Sequence, residues 1–478
     1  MTDQPKPPAI DSPRLLAGRR VVVMGLGLHG GGLGVARFLR RHGASLVVTD
    51  LRDASQLAPS LEQLGTQGVR YVLGRHDLQD FRDAEIVVRN PAVPLDAPAL
   101  AVARAAGARI EMELTMFLRW CPASRVVAVT GTRGKTTTAA ALHAMLHAAG
   151  RPTRLAGNMG VSALTQLDEI EPDEVVVLEM SSWQTEGLAG AGVRSSGAIV
   201  TNLLPDHLNR YDSMEAYAAA KAELLRAQQP GDWAVLPAGP GWGDWFADRA
   251  RGRVVRVPAG AEPTGWSEAV LRGAHNRANL AAAALAAHEL GVPEAAVRQA
   301  VAGFTGVAHR QDFLGTIGSV RVYNDTTATI PDATLAALDT IPGPWVLIAG
   351  GSDKRLDFSA LARRLEGDAG LRGVVLLPGA GTDRLMPQLG SLAPVAVDDM
   401  DAAVAAALDI AEPGDALLLS PACASFGIFA HEFDRGAQFI AAVEARGLTP
   451  PARSQGSSRR QATSRVSAAR RKWRPPAG

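Results

Sequence analysis

The chain has 478 residues, length for about three domains at roughly 150 residues each. Hydrophobic residues make up 47%, charged residues 20%, and mean hydropathy is +0.03, which fits a globular chain and excludes collagen-like and low-complexity classes. Lys+Arg number 49 against 48 Asp+Glu, a formal net charge of +1, so no overall field argues for nucleic acid or membrane as a partner. The balance is uneven. Residues 451–478 carry eight Lys/Arg and no acid, which leaves the remainder at 41 basic against 48 acidic groups, a net of −7. The two cysteines, Cys121 and Cys423, have neither disulfide-scaffold nor metal-site spacing, which fits a reducing cytoplasm. Met1 to Pro13 is polar and Pro-rich, unlike a signal peptide, and no stretch approaches eighteen uninterrupted apolar residues. A cytoplasmic protein with no integral membrane segment is expected.

Along the chain, short β-branched runs alternate with longer Ala/Leu helical patterns, the signature of an α/β chain with parallel sheets. Arg20–Met24 reads as a strand, followed by a glycine turn, a helix through about His42, and strands at Ser45–Asp50 and Glu85–Val88. A second segment opens with a strand at Arg125–Thr130, a second glycine turn and a helix over Thr137–Ala149. It continues through strands at Glu174–Glu179 and Ala198–Thr201, a helix over Met214–Gln228 and an Ala-rich helix over Ala278–Leu290. A third has strands at Ser319–Asn324, Trp345–Gly350, Gly373–Leu377 and Ala416–Ser420. Cuts near 123 and 308 are expected, with domains over 1–123, 124–308 and 309–450. Residues 451–478, rich in Ser, Arg, Pro and Gly without apolar periodicity, read as a disordered basic tail.

The two glycine turns differ in chemistry. Gly25-Leu-Gly27-Leu-His-Gly30 follows a strand, opens a helix, and has Asp50 at the end of the next strand. That is the dinucleotide-type arrangement, in which a diphosphate approaches the backbone at a helix N-terminus. Thr130-Gly131-Thr132-Arg133-Gly134-Lys135-Thr136-Thr137 instead offers backbone N–H groups, a lysine and a hydroxyl, which a triphosphate with Mg²⁺ needs. It is not a full Walker A, since Val129 stands where the first glycine would be. One turn of each kind favours an ATP-driven reaction on a nucleotide-carrying substrate over a simple dehydrogenase. Four apolar residues run into Glu179 at a strand end, a usual place for a Mg²⁺ ligand, and Asp206-His207 with Arg210-Tyr211 form a polar cluster after another strand. Lys221, by itself, is an ordinary helix lysine.

In these residues the sequence resembles the Mur ligases, ATP-dependent amide-forming enzymes of peptidoglycan synthesis. The resemblance rests on Thr130–Thr137, Gly157-Asn158-Met-Gly160, Glu179-Met-Ser-Ser-Trp-Gln184, Asp206-His207 with Arg210-Tyr211, Lys221, His275-Asn276, Arg310, Asn324-Asp325, and the blocks around Lys354 and Ser425. It extends to about residue 450. It implies three α/β domains: an N-terminal Rossmann-like domain for the UDP substrate, a central P-loop-type ATPase domain, and a C-terminal Rossmann-like domain for the amino acid. The branch it points to adds D-glutamate to UDP-N-acetylmuramoyl-L-alanine through an acyl phosphate, in service of cell-wall growth and division.

Residue roles follow from the resemblance alone. Gly131, Thr132, Arg133, Gly134, Lys135, Thr136 and Thr137 would bind ATP, together with Asn276, Arg310 and Asp325. Lys135, Glu179, His207 and Lys221 would be the catalytic set. Thr136, Glu179, His207 and Lys221 would serve two Mg²⁺ sites, Lys221 as its CO₂ adduct, a carbamate. Leu28, His29, Asp50, Arg52 and Asn158 would meet the UDP substrate, and Lys354, Ser425 and Phe426 the glutamate. Small-molecule substrates, no nucleic acid and a monomer are expected. The chain departs from the family pattern at Arg133, Thr327, Asn90-Pro91-Ala92 and Glu432-Phe433, the last near the amino-acid side. An L-glutamate-adding ligase therefore remains an alternative. A folylpolyglutamate synthase would have no use for the Gly25–Gly30 domain. An NAD-dependent oxidoreductase would leave Lys135, Glu179, His207 and Arg310 without a role, and a non-catalytic nucleotide-binding regulator would require loss of a chemical group, whereas Lys135, Glu179, His207 and Lys221 are all present.

Overall fold

The computed structural model describes residues 10–27, 30–157, 162–207, 210–269, 271, 273–353, 356–425, 427, 429 and 431–451. The chain forms two compact units, Met1–Phe304 and Thr305–Gly478. Within the described residues no helix is long and apolar enough to cross a membrane.

The first unit holds two all-parallel sheets. The first comprises β1 (Arg20–Met24), β2 (Ser45–Asp50), β3 (Val69–Leu73), β4 (Ile86–Arg89) and β5 (Arg109–Glu111), in the order β3-β2-β1-β4-β5. The second comprises β6 (Arg125–Thr130), β7 (Thr153–Gly157), β8 (Val175–Glu179), β9 (Gly197–Val200), β10 (Trp233–Pro237) and β11 (Arg253–Val257), in the order β11-β10-β9-β6-β8-β7. Helices cover both faces, so central strands are buried on both sides and read as unbroken apolar runs: Val175 through Glu179 is buried at every position. In the first sheet the chain winds outward from β1 to β3 and returns to the other side at β4; in the second it goes from β6 to the edge at β7, back to β8 between them, and crosses to the other side of β6 at β9. Such a reversal leaves a crevice at the C-terminal strand ends, where ligands of open parallel sheets bind.

One hydrophobic cluster runs through both sheets of this unit, from Ile10, Leu33 and Phe38 to Val176, Leu178 and Leu236. The Gly31–Arg41 helix packs on the Ala163–Glu169 turn so closely that a Cβ on Gly34 would sit 2.2 Å from the Ser162 Cβ. Glu113, at the start of the Glu113–Trp120 helix, accepts the Ala163 N–H at 2.6 Å, and Arg41 pairs with Asp168.

The second unit has one sheet: β12 (Asp312–Ile317), β13 (Val320–Asn324), β14 (Trp345–Gly350), β15 (Leu371–Leu377), β16 (Val395–Ala396) and β17 (Ala416–Leu419), ordered β12-β13-β17-β14-β15-β16. β12 pairs antiparallel with β13, and the rest are parallel. The expected strands at Arg20–Met24, Ser45–Asp50, Arg125–Thr130 and Trp345–Gly350 coincide with observed ones, and the others differ by a residue or two at their ends. The Ala-rich helix starts earlier than expected, at Ala274, and the phosphate-loop helix at Lys135. The expected tail lies, from residue 452 on, outside the described residues.

Candidate active site

After β1 the chain turns through Gly25, Gly27 and Gly30, with φ of +94°, +61° and +81°. Gly25 has a second reason to be glycine, because a Cβ there would lie 2.7 Å from the Cβ of Asn90, just past β4. Asp50, at the end of β2, accepts the Gly27 N–H at 3.1 Å and the Arg52 N–H at 2.9 Å. Its carboxylate thus braces the turn from within. Arg52 itself is exposed, and Leu28 and His29 lie outside the described residues.

The second turn is built more tightly. Gly131 has φ +145° and its Cβ would fall 1.9 Å from Thr201 Oγ1, while Gly134 has φ +78° and its Cβ would fall 2.1 Å from Asn279 Oδ1. Residues after β9 clamp the loop. The Arg133 N–H donates to Asn202 Oδ1 at 2.9 Å, Asn202 Nδ2 donates to Arg133 O at 3.1 Å, and the Thr201 hydroxyl donates to Arg133 O at 2.6 Å. The Leu204 N–H donates to Thr132 Oγ1 at 3.0 Å. The loop then enters the Lys135–Ala148 helix, whose first N–H groups and dipole favour an anion. Asn276 is buried in the first turn of the Ala274–Glu289 helix, one turn before the Asn279 that abuts Gly134.

Two lysines converge on one acceptor. Lys135 Nζ donates to Gly131 O at 3.0 Å and to Thr132 O at 2.9 Å, and Lys221 Nζ donates to the same Gly131 O at 2.9 Å. Lys221 is 1% exposed, on the inner face of the Met214–Arg226 helix, with its ammonium 4.6 Å from the Tyr217 ring. Burial, and next the charge of Lys135, push its pKa well below the usual lysine value, only partly opposed by Asp206. It is no surface lysine.

Glu179 ends β8, 1% exposed and in register with Val129 of the adjacent β6, so its carboxylate stands beside the start of the phosphate loop. His207 has a left-handed backbone (φ +54°), with its N–H bonded to Asp206 Oδ1 at 2.8 Å. Its ring lies 5.5 Å from that of Trp183 and 5.9 Å from that of Tyr217. Tyr217 thereby links His207 to Lys221, and its hydroxyl lies 3.2 Å from Thr132 Oγ1. Burial pushes the Tyr217 phenol up to about 12. Among the described residues no group of three or more His, Cys, Asp or Glu gathers into a metal cage. A single buried carboxylate, a hydroxyl in the first helical turn (Thr136) and a partly exposed imidazole instead suit Mg²⁺, which commonly takes one or two protein ligands plus phosphate oxygens and water. Asn158 lies outside the described residues.

In the second unit, Asp325 follows β13 and is almost wholly buried. It accepts the Gln311 N–H at 3.1 Å and the Ser420 hydroxyl at 2.8 Å. Burial pushes its carboxyl up to about 7, against the lowering effect of those hydrogen bonds, Arg310 and Arg435. Arg435 is fully buried and donates to Thr326 O at 2.8 Å, Thr326 Oγ1 at 3.0 Å and Cys423 O at 3.1 Å, pinning the segments after β13 and β17 together. Ser425 is buried beyond that pin, Thr327 caps His309 O at 3.0 Å, and Arg310 is exposed. Lys354 and Phe426 lie outside the described residues.

Sequence reasoning thus named Lys135, Lys221, Glu179 and His207, and the fold brings Lys135 and Lys221 together around Gly131. It missed Asn202, Asn279 and Tyr217, which shape the loop, and Arg435. Asn202 lies within the Thr201–Tyr211 stretch, but nothing local signals a partner 69 positions away.

Three sheets of mainly parallel strands, with two glycine turns that each join a strand to a helix, define an α/β enzyme of the nucleotide-using kind. Residues 19–111 match the MurD-like N-terminal domain of Mur ligases, 129–266 the Mur ligase middle domain, and 309–423 the Mur ligase glutamate ligase domain. The chain is 46% identical over 464 residues to UDP-N-acetylmuramoylalanine–D-glutamate ligase of Roseiflexus sp. (strain RS-1), covering 90% of this chain and 99% of that one. It is 37% identical to the ligase of the same name from Acidobacterium capsulatum, covering 89% and 96%. Among solved structures, the fold is similar to UDP-N-acetylmuramate-alanine ligase MurC from Thermotoga maritima (TM-score 0.57, 20% identity, 89% and 99% covered) and to MurF from Acinetobacter baumannii (TM-score 0.58, 16% identity, 89% and 94% covered). The chain belongs to the Mur ligase family.

Proposed function

We propose that the chain is an ATP-dependent ligase that joins D-glutamate to UDP-N-acetylmuramoyl-L-alanine in peptidoglycan synthesis, forming ADP and phosphate. The names of its relatives and the match to all three Mur ligase domains support the reading. The observation that carries it is the meeting of Lys135 and Lys221 on the Gly131 carbonyl, inside a glycine loop shaped for a triphosphate.

In this reading residues 1–123 hold the UDP portion, 124–308 the ATP, and 309–450 the glutamate. The substrate carboxylate takes the γ-phosphoryl group of ATP, the glutamate amine attacks the resulting acyl phosphate, and phosphate leaves. Negative charge therefore concentrates at one place throughout, and the site's work is to neutralise and orient it. Lys135 and the loop N–H groups from Gly131 to Thr137 hold the β- and γ-phosphates, and Asn276, Arg310 and Asp325 contact the nucleotide. Mg²⁺, when bound through Thr136, Glu179, His207 and Lys221, supplies charge neutralisation for the phosphoryl group. Lys221 serves it after modification. Burial lowers the lysine pKa and so favours the unprotonated amine, whose lone pair adds to the carbon of CO₂ with loss of a proton to give an anionic carbamate. Asp50, Arg52 and Asn158, with Leu28 and His29, serve the UDP substrate. Lys354, Ser425 and Phe426 serve the glutamate, and the enzyme works as a cytoplasmic monomer.

Phosphate release by the purified protein tests the assignment. Release that requires ATP, UDP-N-acetylmuramoyl-L-alanine and D-glutamate together is expected. An equal or higher rate with L-glutamate would overturn the stereochemical part, and release independent of the acceptor would overturn the ligase assignment.

A further inference from the structure

The segment just after β4 is held from the other sheet of its unit. Arg210 donates from one guanidinium nitrogen to Ala92 O at 3.1 Å and from the other to Pro91 O at 3.3 Å and to Glu186 Oε1 at 2.7 Å. Arg89, the last residue of β4, donates to Val93 O at 2.7 Å and reaches the same Glu186 oxygen at 3.4 Å. The Tyr211 hydroxyl donates to the other Glu186 oxygen at 3.3 Å. Three successive carbonyls, at 91, 92 and 93, thus rest on two guanidiniums that share one carboxylate. The side chains of Arg89, Glu186 and Arg210 are 1%, 12% and 16% exposed, so the bonds form largely away from water, where charge-assisted hydrogen bonds are strong.

Both ends of this arrangement lead to the site. At one end, Asn90 packs under Gly25, accepts the Ala92 N–H at 3.0 Å and directs its amide at Gly25 O. At the other, the Arg210 N–H donates to His207 O at 2.9 Å, and the Arg210 guanidinium lies 4.7 Å from the Trp183 ring, which also faces His207.

We infer that Arg210, held in place by Glu186, is a positioning residue. It sets the 90–93 segment, and through Asn90 the Gly25–Gly27 turn, in a fixed relation to His207, so that a substrate gripped at its diphosphate presents its far end to the phosphate loop. The inference rests on the ligase reading for its substrate, and its geometry joins Arg210 to both segments.

The test compares wild-type full-length protein with Arg210→Gln, Arg210→Lys and the nearly isosteric Glu186→Gln. Steady-state phosphate release is read against UDP-N-acetylmuramoyl-L-alanine and, separately, against ATP. Calorimetry measures the binding of UDP alone. Losing charge-assisted hydrogen bonds of this kind is expected to raise KM for the UDP substrate and Kd for UDP about 10-fold in Arg210→Gln and Glu186→Gln, with KM for ATP within about 2-fold. Arg210→Lys, with its charge kept and its fork lost, falls between. Parallel rises in both KM values, or unchanged UDP binding, would overturn the inference and leave a simple structural clip. If the wild-type protein itself releases no phosphate with this substrate pair, the ligase reading fails. The UDP titration then still decides the role of Arg210.

Discussion

Asn202 holds both the backbone N–H and the backbone carbonyl of Arg133, 69 positions away in sequence, so the middle of the phosphate loop is shaped by the segment after β9. The two bonds orient the peptides on either side of Arg133, in a loop whose other N–H groups must turn toward phosphate. Asn202→Ala removes both and leaves the Thr201 hydroxyl on Arg133 O. KM for ATP is expected to rise about 10-fold, by the usual worth of one or two such bonds, with KM for the UDP substrate little changed. Phosphate release under varied ATP checks this.

Lys221 makes a second prediction. Burial, and next the charge of Lys135, lower its pKa well below the usual lysine value, which favours the unprotonated amine that reacts with CO₂. Protein incubated with ¹³C-bicarbonate at pH 8 is expected to show a carbamate carbon signal that is missing from Lys221→Ala. That variant is expected to lose at least about 100-fold in kcat, in line with removal of a group that supports transition-state charge, and to regain part of it with added formate or acetate. A fully active Lys221→Ala protein would remove the carbamate from the proposed chemistry.

Asp325 gives the second unit a pH signature. Its carboxyl is raised by burial from an ordinary 3.8 to about 7, so the folded state binds a proton that the unfolded chain releases. The stability this contributes is complete below pH 3.8, declines across the interval up to about 7, and is gone above it. Denaturant unfolding between pH 5 and 7 is expected to show stability falling with pH, by up to about 1.4 kcal/mol per unit from this group. Asp325→Asn, which cannot titrate, is expected to flatten that slope. An identical slope in the variant would place the titration elsewhere.

Gly34 offers a stability test within the first unit. The alanine Cβ in Gly34→Ala would stand 2.2 Å from the Cβ of Ser162 and force the Gly31–Arg41 helix off the Ala163–Glu169 turn. Overpacking of this kind costs about 1–3 kcal/mol, and the thermal midpoint is expected to drop by a few degrees. At Gly303, the last residue of the Glu294–Gly303 helix, a Cβ would meet nothing within 4 Å and φ is not positive, so Gly303→Ala serves as a milder control.

The sequence revealed what is local. β6 and its loop were legible because a buried apolar run meets Gly-Lys-Thr within nine residues, and β8 because four apolar residues end in one acid. The edge strands β5 and β11 were not, since β5 has three residues and β11 carries Arg253 and Arg256 on a half-exposed surface. Lys221 looked like a surface lysine because the Met214–Arg226 helix is rich in alanine and lacks a clear apolar face to mark its buried side. Glu186 and Arg89 carried no signal at all, as the bond between them spans 97 positions. The strand, glycine turn and helix after β1 were legible in sequence, yet the use of Asp50 as the turn's internal brace depends on the backbone of Gly27, which no residue pattern encodes.

The continuous core of the first unit bears on how such an enzyme can be taken apart. A break near residue 123 falls between two sheets and looks like a natural joint. Yet Ile10, Phe38 and Trp120 share one apolar mass with Val126, Leu164 and Leu178 on the far side of it. A fragment ending there would bare that mass to water, and a lobe borrowed from a distant relative would have to arrive with a gap where Gly34 meets Ser162. The two lobes of the first unit are therefore heritable as a pair, and shuffling between ligases is easiest at Phe304, where the first unit ends.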